Sequence, residues 1–224
     1  MKIVGLITEY NPFHNGHLYH IQQAKRTTGA DAVIVVMSGD YVQRGVPAVM
    51  PKRLRAESAL ECGASAVFEL PVCYSTGSAE LFAESAVALL DQLQIVDSLC
   101  FGSECGDLDA LSEIADLLCQ EPKDYRSLLK KHLRNGLSFP CARRKALKEY
   151  LPEKNFAALL DEPNNILGIE YLKANQKIKK HDQTIYDPQK RRPVSRPRTQ
   201  YREFKFCIGD PFSSFVFRIF FKKI

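Results

Sequence analysis

No two cysteines of this chain stand as Cys-x-x-Cys, and the seven present (Cys62, Cys73, Cys100, Cys105, Cys119, Cys141 and Cys207) are scattered and odd in number. Such spacing supports neither a zinc knuckle nor a disulfide framework, and it fits a reducing compartment. No apolar run approaches the length of a membrane span, and the opening MKIVGLITEY has too short an apolar segment for a signal sequence. A cytoplasmic protein without a membrane partner is the expectation. No internal repeat is evident. Neither sign of charge dominates: 31 basic against 26 acidic residues give +5, which permits an anionic partner without demanding one.

What is present is the ordinary balance of a globular protein, 45% hydrophobic and 25% charged over 224 residues, enough for one sizeable domain or one and a half. Basic residues gather between Lys123 and Lys154, in KDYRSLLKKHLRNG and ARRKALKEYLPEK. There Lys130, Lys131, Arg134, Arg143, Arg144 and Lys148 are candidates for a nucleic-acid surface, with a plain solvated helix face as the other reading.

Four short runs, KIVGLIT (2–8), AVIVVM (32–37), AVFEL (66–70) and SLCFG (98–102), are continuously apolar rather than alternating, the mark of strands buried on both faces. Helical patterns separate them. One stops at Gly29, one opens at Pro51 and closes at Gly63, and one has Ser78 as N-cap. Alternating strands and helices predict an α/β fold, a Rossmann-like parallel sheet with ligands beyond the carboxyl ends of its strands. After about residue 107 only helical patterns remain. The expected organisation is therefore a core over 1–106, a helical region over 107–180 that covers one face of the sheet or forms a subdomain, and a tail over 181–224.

The stretch EYNPFHNGHLYH, residues 9–20, is polar, aromatic and turn-rich where a buried strand hands over to a helix. Gly16 lets the backbone approach a ligand, and the free N–H groups and dipole of the helix start favour a phosphate. His14 and His17 flank that glycine and are the catalytic candidates, because imidazole donors can stabilise charge growing on phosphate oxygens. His20, one turn further on, reads as supportive. A metal site fits poorly: the three histidines lack the His-x-x-x-His spacing of a helix face and have no Cys or carboxylate set nearby. Ser38, Gln43 and Arg44 follow the second strand on the ligand side, placed to position a small carboxylate substrate or an RNA, although Arg44 equally reads as a loop charge. Lys52, Arg53 and Arg55 oppose the dipole of their helix, a sign of a nearby anion. Glu80 and Glu84 read as a solvated face.

PFHNGHL resembles the His-x-Gly-His signature of the nucleotidyltransferase superfamily. Taken together, GLITEYNPFHNGHLYHI, SGDYVQRGVPA, FELP, STGSAELFA and FGSE resemble the bacterial tRNA(Met) cytidine acetate ligase family, nearly unbroken from Met1 to about Lys177. The resemblance implies a nucleotidyltransferase core and a two-step reaction. ATP and acetate give acetyl-adenylate and pyrophosphate, and the acetyl group passes to N4 of the wobble cytidine of elongator tRNA(Met). It implies ATP, with magnesium, as the nucleotide partner. It also implies ATP contacts from Ile7, Thr8, Glu9, Tyr10, Asn11, Pro12, Phe13, His14, Asn15, Gly16, His17, Leu18, Tyr19 and His20, and from Gly102 and Asn164. Asn164 reads alternatively as the N-cap of the last helix. An adenylyltransferase for a small phosphorylated cofactor precursor uses the same turn but needs no basic helices, and a nucleotide- or RNA-binding remnant without turnover is a third reading.

The tail leaves the pattern. From His181 it has no helical period, an arginine-rich first half and an aromatic second half, and it is expected to be disordered. The resembling family continues instead with Ile-x-Pro-x-Thr-Ile-x-Arg, Tyr-His-Asp and Ser-Ala-Thr-x-Ile-Arg elements. Codons permitted by this tail, read one nucleotide later, allow much of that sequence, so we hypothesise a frameshift near Lys179 and Lys180. An intact A-tract encoding the present frame, with none of those motifs downstream, would refute it. The chain as written lacks the family's arginine at about Pro188, which implies weak or absent ligase turnover.

Overall fold

Each of the four apolar runs forms a strand: β1 (Ile3–Thr8), β2 (Ala32–Ser38), β3 (Ala66–Leu70) and β4 (Ser98–Ser103). The computed structural model describes residues 1–185 and 218–222. All four strands are parallel, in the order β3-β2-β1-β4. The chain steps outward from β1 to β2 to β3, then returns across β1 to lay β4 on its other side. That reversal leaves a crevice outside the carboxyl ends of β1 and β4, where open α/β sheets bind ligands.

Strand side chains alternate between two apolar layers. Val4, Leu6, Val33, Val35, Met37 and Cys100 pack with Ile21 and Ala24 of α1 (Asn15–Thr28) and Ala59 of α2 (Lys52–Glu61). The other layer joins Ile3, Ile7, Ile34, Val36, Leu99 and Phe101 to the helices that follow. After the single turn α3 (Val72–Ser75) comes α4 (Ala79–Gln92), capped by Ser78, whose hydroxyl accepts from Leu81 N–H at 3.2 Å. Its residues Phe82, Ala83, Ala86, Val87 and Leu90 are all buried, and each large apolar side chain contributes roughly 1.5–3 kcal/mol.

The helical region comprises α5 (Leu108–Gln120), α6 (Lys123–Arg134), α7 (Phe139–Tyr150), the short α8 (Phe156–Leu159) and the long α9 (Pro163–Ile185). Leu111, Ile114, Leu147 and Ile169 from these helices share one core with the sheet face. The helices thus cover that face, and α9 lies directly on β4: a Cβ at Gly168 would meet the Phe101 ring at 2.7 Å. Two parts of the expected tail carry structure. α9 continues to Ile185, and β5 (Arg218–Lys222), a β-branched and aromatic RIFFK sequence, pairs antiparallel with β4. Residues 186–217, 223 and 224, including the positions of the expected family motifs, lie outside the described residues. Among the described residues no helix is long and apolar enough to cross a membrane.

Candidate functional site

β1 ends at Thr8, and the chain must reverse into α1 within a few residues. Tyr10 makes this turn in the left-handed region (φ 49°), an uncommon conformation for a bulky residue. Its ring is buried and forms a platform beneath the turn, 4.9 Å from the Phe13 ring and 4.8 Å from His17. Burial pushes its phenol well above the usual range.

His14 is the N-cap of α1. Its Nδ1 accepts from Gly16 N–H at 3.1 Å, while His17 Nδ1 accepts from His14 N–H at 3.3 Å. The result is a capping box made of two imidazoles instead of a hydroxyl and a carboxylate. The rings stack with centroids 3.8 Å apart and planes 24° off parallel. Gly16 is required by the box itself, since a Cβ there would lie 2.9 Å from His14 Cε1. Because both Nδ1 atoms accept, Nε2 is the nitrogen of each ring left to donate. Burial, then the neighbouring His14 and His20, push His17 down to about 4, so it is neutral at pH 7. His20 is also pushed down to about 4, by burial, and its Nε2 lies 3.5 Å from the buried Cys100 thiol.

Other residues of the stretch have different tasks. Ile7 is buried in the sheet, whereas Pro12, Asn15 and Tyr19 are exposed and Thr8, Phe13 and Leu18 are half-buried. Glu9 and Asn11 face the loop after β2: Glu9 Oε1 accepts from Gln43 N–H at 2.8 Å and Asn11 Oδ1 from Val49 N–H at 2.7 Å. Arg55, expected to signal an anion, is instead fully buried. Its guanidinium donates to the carbonyls of Glu9 (2.5 Å), Ser38 (3.2 Å), Met50 (3.0 Å) and Gly39. Its companions are also engaged, Lys52 with Glu69 (2.8 Å) and Asp40 (3.4 Å), Arg53 with Glu57 (2.8 Å). The only sequence signal for the buried Arg55 was its i, i+4 spacing from Ala59, which puts both on the inner face of α2. Ser38 is buried at the end of β2, its hydroxyl without a hydrogen-bond partner among the described residues.

Across the crevice, Gly102 occupies the carboxyl end of β4. Asn164 lies within the first turn of α9 and is not its N-cap. Glu104 caps that turn, accepting from the N–H groups of Asn164 (3.1 Å) and Asn165 (2.8 Å) and from Asn164 Nδ2 (2.8 Å). Asn165 Oδ1 accepts from Ser103 Oγ at 2.7 Å and from Cys105 N–H at 3.1 Å. Sequence reading missed Glu104, whose signal was the acidic residue immediately after a strand. The structure therefore gathers residues 7–20 at the end of β1, and Gly102 and Asn164 at the end of the adjoining β4.

The basic candidates of α6 and α7 divide. Arg143 is bound to the buried Glu170 at 2.7 Å, Lys131 lies 3.4 Å from Glu149, and Arg144 lies 2.8 Å from Asp161. Lys130, Arg134 and Lys148 are exposed and have no ion-pair partner among the described residues. Glu80 and Glu84, expected on a solvated face, hold α9: Glu80 reaches Lys173 (3.1 Å) and Lys177 (3.2 Å), and Glu84 reaches Lys177. A cavity of about 260 Å³ lies beside this network, lined by Glu80, Tyr125, Arg143 and Lys173 among others. None of its lining residues belongs to the histidine turn, and its charges are committed to one another, so we place the candidate site at the turn.

Known proteins resemble the chain in the same region. The HIGH Nucleotidyl Transferase family matches residues 1–211. The tRNA(Met) cytidine acetate ligase of Acetivibrio thermocellus is 53% identical over 180 residues, which take in 80% of this chain and 43% of that protein. The protein of the same name from Caldanaerobacter subterraneus subsp. tengcongensis is 52% identical over 179 residues, 80% of this chain and 45% of that one. Among solved structures, Thermotoga maritima TmcAL bound with alpha-thio ATP superimposes with a TM-score of 0.77 at 44% identity, covering 80% of this chain and 44% of that one. The chain spans under half the length of the relatives it matches.

Proposed function

This chain belongs to the HIGH nucleotidyl transferase family, and from that premise we propose that it carries the ATP-activating half of a tRNA(Met) cytidine acetate ligase. The observation that carries the proposal is the imidazole capping box, two stacked histidines at the start of α1 whose Nε2 atoms have no hydrogen-bond partner among the described residues, beside the β1/β4 crevice. Such a site suits phosphate oxygens. Residues 7–20 with Gly102 and Asn164 surround the nucleotide, and His14 and His17 donate to its phosphates.

An acetate oxygen attacks the α-phosphorus, the bond to the bridging oxygen breaks, and pyrophosphate leaves with the electron pair. N4 of the wobble cytidine then attacks the acetyl carbonyl, AMP departs, and the nitrogen loses its proton. Magnesium accompanies the ATP phosphates as their counter-ion; the described residues include no group of three His, Cys, Asp or Glu side chains that could hold a metal. The Lys130, Arg134 and Lys148 face receives tRNA backbone phosphates, and the reaction takes place in the cytoplasm. The chain binds ATP but turns over weakly, because its tail departs from the family's phosphate-binding elements.

Acetate-dependent pyrophosphate release tests this reading, measured on the chain and on a version carrying the alternative frame after Lys180. Release from the alternative frame alone, with ATP binding by both, is the expected result. Release that ignores acetate would favour the adenylyltransferase reading, and absent ATP binding would contradict both.

A further inference from the structure

The segment between β2 and α2 is largely exposed, yet hydrogen bonds tie it down along its length. Tyr41 and Pro47 pair as an antiparallel bridge, Val42 N–H donates to Val46 O (3.1 Å), and Gly45 N–H donates to Val42 O (2.8 Å). Gly45 adopts φ 73°, as the turn requires. This small hairpin is held from below at every side. Glu9 binds Gln43 N–H, Asn11 binds Val49 N–H, Arg55 binds the carbonyls of Gly39 and Met50, and Ser75 Oγ donates to Tyr41 O at 3.1 Å. Glu9 and Asn11 belong to the histidine turn, so the hairpin is a rigid lip on the β2 side of that site.

The lip's upper surface is out of keeping with a structural loop. Arg44 stands at the tip of the turn, exposed and without an ion-pair partner among the described residues. Tyr41 is 46% exposed, and Tyr74 of α3, next to the Ser75 that holds Tyr41, is 41% exposed. Unpaired guanidinium and open aromatic faces on a preorganised mount are what a single-stranded nucleic-acid loop needs: a phosphate contact and a stacking platform for an unpaired base. A duplex offers no such base.

We propose that the 40–50 lip is the docking element for the RNA substrate, with Arg44 on a backbone phosphate and Tyr41 stacked on an unpaired base of the loop being modified. The proposal rests on the reading above and adds residues that determine RNA specificity. Arg55 is a positioning residue that acts through the lip.

The test uses the full chain, with an elongator tRNA(Met) anticodon stem-loop and a duplex of equal length as probes, and ATP binding measured in parallel. Arg44→Ala is expected to weaken stem-loop binding at least tenfold and to lower the salt slope by about 0.7. Tyr41→Ala is expected to weaken it by a similar factor with the salt slope unchanged, and Tyr41→Phe to restore it. ATP affinity stays constant in all three. Stem-loop affinity unmoved in the Arg44→Ala/Tyr41→Ala double variant would overturn the proposal, as would a chain that binds ATP but no stem-loop, or binds the duplex equally well. Failure of the unmodified chain to bind ATP would instead strike the nucleotidyltransferase reading.

Discussion

Around the turn after β1, Glu9, Asn11, His14, His17 and Arg55 all bond to main-chain atoms, whereas in the helical layer Glu170, Arg143, Lys173, Glu80 and Lys177 bond to one another. In the first region side chains impose a backbone shape and leave ring N–H donors free for a ligand. In the second they fasten three helices and leave few charges for any partner. Polar side chains therefore serve opposite ends in the two regions, and composition alone does not distinguish them.

The largest expected effect separates the two regions. Glu170 is 2% exposed and accepts from both Arg143 and Lys173, so Glu170→Ala strips Arg143 of its carboxylate, leaves Lys173 with Glu80 alone, and should cost about 3–5 kcal/mol in a denaturant titration. ATP affinity of the folded fraction should not change. A variant that keeps its stability but loses ATP binding would break the comparison.

Gly16→Ala should act the other way round. Its Cβ meets the His14 ring, so the capping box must open, and misplacement of about 1 Å can reduce function on the order of a hundredfold. Calorimetry should find ATP binding reduced by that order while the melting temperature falls only slightly.

A smaller effect comes from pH. His17 and His20 hold their protons only near pH 4 in the folded chain, against about 6.5 when unfolded. Between these values the unfolded state carries more protons, so stability is full above pH 6.5 and declines as pH falls towards 4. Melting temperatures across that window should fall, and His20→Leu should flatten the curve. A profile that is flat for the unmodified chain would contradict the burial of these rings.

The smallest effect belongs to the exposed face. Replacing Lys130, Arg134 and Lys148 by alanine should alter stability by less than about 0.5 kcal/mol each, yet lower the salt dependence of RNA binding. An unchanged salt slope would remove these residues from the interface.

The sheet was legible because its strands are continuously apolar, and observed bounds such as 66–70 for β3 match the runs. Gly29 and Ser78 marked helix ends through conformational chemistry that needs no tertiary information. The histidine turn could be located, but its inner workings could not. A capping box of imidazoles has no familiar sequence sign, and a tyrosine in the left-handed region shows only in the backbone. Arg55 was misread for a related reason. Its charge marks a surface residue in composition, and only the convergence of four carbonyls around it makes burial favourable. Whether Arg143 faced water depended on Glu170, a residue on another helix and 27 positions away.

The most direct test of the central claim is the dissociation constant of ATP for the unmodified chain and for His17→Ala, measured by titration calorimetry at pH 7.5. Removal of one stacked Nε2–H donor should weaken binding tenfold or more while the fold, followed by circular dichroism, stays intact. Equal affinities in a folded His17→Ala chain would mean that the imidazole pair does not hold the phosphates.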